Sequence, residues 1–118
     1  MSGAELLGEV ELCPATHRHH PCMRREEDGR VRIDDHQSGQ GLAYTEREFE
    51  VVLAAIPLIL SGKANARKHS PDACVCFGIR RVGDVVTLFR QNGKGMEFIE
   101  VDVSALRVLG VLGRRYLS

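Results

Sequence analysis

An offset of 54 residues lays one stretch of this chain over another without a gap, so that residues 22–58 fall on 76–112. Cys22 meets Cys76, Gly29 meets Gly83, Val31 meets Val85, Gln37 meets Gln91, Gly39 meets Gly93, Gly41 meets Gly95, Glu46 meets Glu100 and Leu58 meets Leu112. Tyr44 also meets Phe98, and Glu48 meets Asp102. A repeat of this kind constrains the fold more than any single motif. A unit of about 45 residues is too small to bury an adequate core alone, so two such units have to pack on each other.

Each unit reads in the same way. A short strand (Cys22–Arg25; Cys74–Arg81) runs into a turn at Asp28-Gly29 or Gly83-Asp84, and a second strand follows (Arg30–Ile33; Val85–Gln91), which makes a hairpin. A glycine-bearing loop then leads to a third strand, Leu42–Tyr44 or Met96–Val101. In the first unit Thr45 and Glu48 have the spacing of a capping box, and Phe49, Val52, Leu53, Ile56 and Leu60 recur at helical spacing up to Gly62. Pro57 predicts a kink or a new turn, because it removes one helical hydrogen bond. In the second unit Asp102 caps a helix carrying Val103, Leu106, Leu109 and Leu112, and Arg114-Arg115 suit its C-terminal dipole. The expected fold is α+β: two tandem ββ(β)α units packed as one pseudo-twofold domain with an antiparallel sheet and two helices. The expected boundaries are an N-terminal segment at 1–20, a first unit at 21–62, a polar linker at 63–73 and a second unit at 74–118.

Composition narrows the function classes. The 118 residues carry 16 basic and 16 acidic side chains, which argues against a polyanion-binding tail. The balance is uneven along the chain, however. Residues 1–62 hold 11 acidic and 6 basic side chains, and residues 63–118 hold 5 and 10, so the halves are electrically complementary. The longest apolar run, Val51 to Leu60, is too short to cross a bilayer. Met1 to Leu12 is acidic and has neither region of an export signal, so the expected location is the cytoplasm, where the four cysteines are thiols or metal ligands.

The densest chemistry is Cys13-x3-His17-x-His19-His20-x-Cys22. Cys13, His17, His19 and Cys22 could hold a structural zinc, with Cys74-x-Cys76 as a second source of ligands, although neither spacing is the usual CxxC knuckle. The plainer reading is a polar His-rich loop ahead of a strand, with Cys22 and Cys76 as small buried strand residues. No nucleophile elbow, phosphate loop or paired-carboxylate signature is present, so no enzyme activity and no cofactor are expected. A single-stranded nucleic acid platform needs cations interleaved with aromatics. The second unit offers Arg80, Arg81, Arg90, Lys94, Arg107, Arg114 and Arg115 with Phe77, Phe89 and Phe98, while the acidic first unit would repel phosphate.

The first unit also carries a run of residues seen in a known family. Cys22, Val31-Arg32-Ile33-Asp34, Leu42-Ala43-Tyr44-Thr45 and Glu48-Phe49 resemble the BldB-like developmental regulators of sporulating actinobacteria, whose units show a cysteine-bearing strand, a "VRD" strand, an "LxF[TS]xxEW" junction and an "xFLxxI" helix. Phe49 stands where that family often has Trp. The resemblance covers residues 20–62 directly and 74–112 through the repeat. It implies a non-enzymatic regulator that acts beside a helix-turn-helix transcription factor and can self-associate. The expected function is therefore a small adaptor in transcription, binding a DNA-binding regulator, with a homodimer as a further expectation and Tyr44, Phe49, Arg80, Arg81, Phe89 and Arg90 as the contact surface. Direct binding of single-stranded DNA or RNA is the first alternative, and a zinc-stabilised module is the second.

Overall fold

In Val31-Arg32-Ile33 and Val86-Thr87-Leu88 apolar side chains alternate with polar ones, so a strand through either has one face that must leave water. In the computed structural model, which describes residues 10–11, 21–93 and 95–117, these faces join into one sheet. The strands are β1 (Val10–Glu11), β2 (Pro21–Arg25), β3 (Val31–Asp35), β4 (Gly41–Tyr44), β5 (Ala66–His69), β6 (Val75–Val82), β7 (Val85–Asn92) and β8 (Gly95–Asp102). Helix α1 (Glu46–Ser61) follows β4, and α2 (Val103–Leu117) follows β8. The eight strands form one antiparallel sheet in the order β1-β2-β3-β4-β8-β7-β6-β5. The protein is a small α+β domain with an antiparallel sheet and two helices.

The two helices and one face of the sheet enclose a single core. Met23, Ile33, Leu42 and Tyr44 from one side of the sheet meet Ile79, Leu88 and Ile99 from the other, under Phe49, Ile56, Ile59 and Leu106 of the helices. Helix α1 starts on the expected capping box: Glu48 N donates to Thr45 Oγ1 at 3.2 Å, and Thr45 N donates to Glu48 Oε1 at 2.9 Å. It ends at Gly62, whose φ of 79° places it in the left-handed region. The helices approach closely through glycine. A Cβ at Gly113 would lie 2.7 Å from Leu53 Cδ2 and 2.9 Å from Phe49 Cζ.

Helix α1 does not pack only on its own neighbours in sequence. It lies against β4, β5 and β6, and Arg81 of β6 donates to its last carbonyls, reaching Ile59 O at 3.0 Å. Tyr44, fully buried, donates its hydroxyl to Gly78 O (3.0 Å) and lies 3.1 Å from Phe89 O. Arg90 of β7 forms a two-pronged bond with Glu48, at 2.8 and 3.3 Å, with both side chains about nine-tenths buried. Glu48 holds the Arg90 guanidinium above its ordinary pKa, although burial acts in the opposite sense. At the far end Arg25 of β2 lies 4.6 Å over the Tyr116 ring of α2 and also pairs with Glu46.

Two expectations change. The linker expected at 63–73 contains β5, an edge strand whose Ala66-Arg67-Lys68-His69 has no apolar alternation and is held by backbone pairing with β6. The N-terminal segment expected at 1–20 contributes β1, which pairs with β2. Pro57, where the sequence predicts a kink or a new turn, lies within α1, which continues to Ser61. The proline is on the exposed side, where water can meet the carbonyl that loses its helical partner.

Gly78 is required by a close approach, since a Cβ there would collide with the Arg67 carbonyl oxygen of β5. Gly78→Ala is expected to cost about 2 kcal/mol and to remove amide-exchange protection over residues 66–69. Gly95→Ala, whose Cβ would find its nearest atom at 3.8 Å, should stay within about 0.5 kcal/mol of wild type when both variants are unfolded in urea.

Arg90→Leu leaves the Glu48 carboxylate buried without its cation and should cost about 3 kcal/mol. Adding Glu48→Gln, which keeps the carbonyl for Thr45 N, should recover more than half of that loss in urea unfolding.

Burial raises the Tyr44 pKa far above that of a free phenol. Above pH ~10 the unfolded chain therefore releases a proton that the native state retains, and stability falls by up to ~1.4 kcal/mol per pH unit from this group alone. Tyr44→Phe should remove that component when unfolding free energies at pH 9 and pH 11 are compared.

Candidate interaction face

In an antiparallel ladder, residues directly opposite one another point to the same side of the sheet. Since Val31, Leu88 and Ile99 face the helices, their strand neighbours face away, and the pairing fixes which residues these are. Gly41 lies opposite Phe98, Phe98 opposite Phe89, and Phe89 opposite Gly78. On one side of this row Glu100 faces Thr87 and Thr87 faces Arg80; on the other, Met96 faces Gln91 and Gln91 faces Cys76. The outer row is Asp102, Val85 and Val82. Among the described residues no helix covers this face.

Its centre is apolar and wet. There Phe98 is 40% exposed and Met96 61%, with Phe89 half-buried beside Phe98; in the outer row, beyond Glu100, Thr87 and Arg80, Val85 is 46% exposed and Val82 64%. The charges around it have both signs, with Arg80 and Lys68 toward β5 and Glu100 and Asp102 on β8. Over the first half of the sheet the same face is polar. Arg32 lies 3.3 Å from Asp34 and 3.4 Å from Glu26, and Arg24 is 3.8 Å from Asp34. Burial works against the Arg32 charge, but Asp34 and Glu26 outweigh it and hold the guanidinium above its ordinary pKa. The Asp34 carboxylate takes the place a side chain at Gly41 would occupy, which leaves Phe98 standing next to bare backbone at mid-sheet.

The six contact residues expected from the sequence do not form one surface. Arg80 and Phe89 belong to the open face. Tyr44 and Phe49 are fully buried, and Arg90 is 7% exposed and bound to Glu48, so these three belong to the core. Arg81 is on the helix side, where it caps α1 and donates to Gly83 O at 2.8 Å. Phe77 of the expected aromatic platform is also core, edge-on to Tyr44 at 6.1 Å. Of the expected metal ligands, Cys13, His17 and His19 lie outside the described residues; Cys22 is buried on β2, opposite Asp34. Cys76 is half-buried on the open face, and Cys74 is exposed just ahead of β6.

Met96, Val85 and Val82 were not among the expected contacts. Their signal was in the sequence: β7 and β8 carry apolar residues at both parities, Val85 beside Val86 and Phe98 beside Ile99, more than one buried face can use. No helix among the described residues is long and apolar enough to cross a membrane. The chain matches no protein-family model, no curated protein and no solved structure.

Proposed function

We propose that this protein is a non-enzymatic adaptor that docks a protein partner, a DNA-binding regulator, on the uncovered face of its sheet. The observation that carries the reading is a sheet face with no described helix over it, on which Phe98 and Met96 are exposed beside half-buried Phe89, with Val85 and Val82 exposed in the outer row. Large apolar side chains gathered on a polar-rimmed surface are the usual anatomy of a protein contact. The sheet edges serve that purpose less well. Among the described residues one edge strand has two residues and the other has four, Arg67, Lys68 and His69 among them, and short charged edges resist strand addition.

Catalysis has little support, because the buried side chains of Tyr44, Asp35, Glu48 and Arg90 are consumed by bonds that hold the fold. The pseudo-twofold arrangement of two ββ(β)α units is part of the proposal. Supporting it, β2, β3 and β4 begin at Pro21, Val31 and Gly41, and β6, β7 and β8 begin at Val75, Val85 and Gly95, each 54 residues later. The strand order also runs outward from β4 and β8 in matching sequence to β1 and β5.

One observation favours single-stranded nucleic acid as a second reading: Phe89 and Phe98 are direct cross-strand neighbours on the open face, with Arg80 and Lys68 on the same face. Against it stand Glu100 and Asp102 on that face, since phosphate affinity depends on cations that are not cancelled nearby.

The test is nuclease-treated affinity capture of the tagged protein from its native cells, comparing wild type with Met96→Glu/Phe98→Glu. Both positions are exposed, so the variant should keep its melting temperature. A DNA-binding protein retained after nuclease by wild type and lost with the variant is the expected result. Companions that vanish with nuclease, together with salt-sensitive binding of a fluorescent oligonucleotide, would replace this reading with the nucleic acid one.

A further inference from the structure

Helix α1 lacks the charged outer face that a helix packed on one side normally keeps. From Val51 to Gly62 the helix and its cap carry no charged side chain at all. Val52, Leu53, Ile56 and Ile59 face the core, but the water side of the same turns offers only Ala54 and Pro57, both exposed, with Leu58 and Leu60 half-buried. Beside it, α2 exposes Val108 and Val111. We propose that this helix layer is the interface of a homodimer, with a twofold axis running along the groove between α1 and α2, so that α1 of each copy lies on α2 of the other. The layer is on the opposite side of the sheet from the open face, and the dimer does not depend on the docking role proposed for that face.

Spacing is the first argument. Along α1 the exposed positions Glu50, Ala54, Pro57 and Ser61 follow at intervals of 4, 3 and 4 residues, and along α2 the exposed positions Ser104, Val108, Val111 and Arg115 repeat those intervals. This is the spacing of a stripe that packs on another helix. The two helices run antiparallel, since a Cβ at Gly113 would meet Leu53 and Phe49 and one at Gly110 would meet Ile56. Val111 is therefore level with Ala54, and Val108 with Pro57. A twofold rotation about the groove keeps every residue at its own level while carrying α1 over α2, so these apolar sites meet across the interface.

Charge selects the occupant. The groove, of ≈ 350 Å³, is lined by Glu50, Leu53, Ala54, Arg114 and Leu117. Glu50 and Arg114 border it at the same level without forming an ion pair, and neither has another partner among the described residues. The rotation sets Glu50 against Arg114 of the second copy and Arg114 against its Glu50, which is the reciprocity of an isologous contact. A partner surface of one sign would satisfy one of these charges and oppose the other. The chain's formal net charge of zero adds no general repulsion between copies.

The test is sedimentation equilibrium of the full chain at concentrations up to about 100 μM. Wild type is expected to be dimeric in the upper part of that range. Glu50→Arg and Arg114→Glu each bring like charges together across the interface and should each weaken the dimer by about tenfold. The double variant Glu50→Arg/Arg114→Glu reverses both partners and should return association to within about threefold of wild type. These positions are exposed, so all three variants should keep the dispersed native amide spectrum. Met96→Glu/Phe98→Glu, on the open face, should leave association unchanged. The proposal is overturned by any of three results. The first is a chain still monomeric at about 100 μM, which would leave the helix layer to a different protein. The second is a dimer that the single reversals do not weaken or the double variant does not restore. The third is a dimer abolished by Met96→Glu/Phe98→Glu, which would move the interface to the open face.

Discussion

The structure depends on how little backbone joins the two halves of its sheet. β4 has four residues, and its ladder with β8 is reduced to the pair Gly41 and Phe98. The β6–β7 and β7–β8 ladders, by contrast, each run the full eight residues. A seam this narrow cannot hold two twisted half-sheets in register by itself. The Gln40 side chain lengthens it by imitating a strand residue: its carbonyl accepts from Glu100 N and its amide donates to Glu100 Oε1, each at 3.0 Å. The remaining cohesion comes from side chains that reach across the seam into the shared core.

Those side chains explain why polar groups occupy the centre. Tyr44 ends β4 just before α1 begins and sets its hydroxyl between a β6 and a β7 carbonyl, while Glu48, one turn later, takes Arg90. A buried ion pair contributes little net stability compared with well-packed apolar residues, but it penalises every arrangement that separates the partners. Here the partners come from opposite sides of the seam, so the penalty falls on slippage of one half against the other. The same carboxylate completes the helix cap. The start of α1, the register of β7 and the closure of the core are thereby tied to one residue. The charge imbalance between residues 1–62 and 63–118 has its buried expression in this pair.

Much of this fold was legible in the chain and some was not, for a physical reason that differs from residue to residue. Thr45 with Glu48, the apolar spacing from Phe49 to Leu60 and the cap at Asp102, which accepts from Ala105 N at 2.7 Å, are local signals, and local signals survive folding. The edge strand β5 had no such signal. Its four residues are held by β6, and its path close over Gly78 depends on the absence of a side chain on the other strand. The assignment of Tyr44 and Arg90 to a surface failed because parity tells which residues share a face but not which face the helices will cover, while Phe49 lies on the apolar stripe of α1, which packs into the core. In β7 and β8 both faces are apolar enough to be buried, and the choice is made by how α1 and α2 cross the sheet. The role of Arg90 was hidden for a further reason: its partner lies 42 residues away.

The position of the open apolar face follows from the same seam. Phe98 is both the most central exposed aromatic and the residue paired with Gly41, so a partner seated on it would rest on the junction between the two half-sheets. Anything that binds only the assembled state stabilises that state by mass action. A contact at Phe98 would therefore add its binding energy where the backbone contributes least. Glycine at position 41 serves both ends. With no side chain there, Asp34 can lie over the strand toward Arg32 and Arg24, and the flank of Phe98 stays open. The polar face of the first half and the apolar face of the second meet along that line. A complementary surface would need an apolar centre and a rim that answers charges of both signs, which is the surface of a folded protein rather than of a polyphosphate strand.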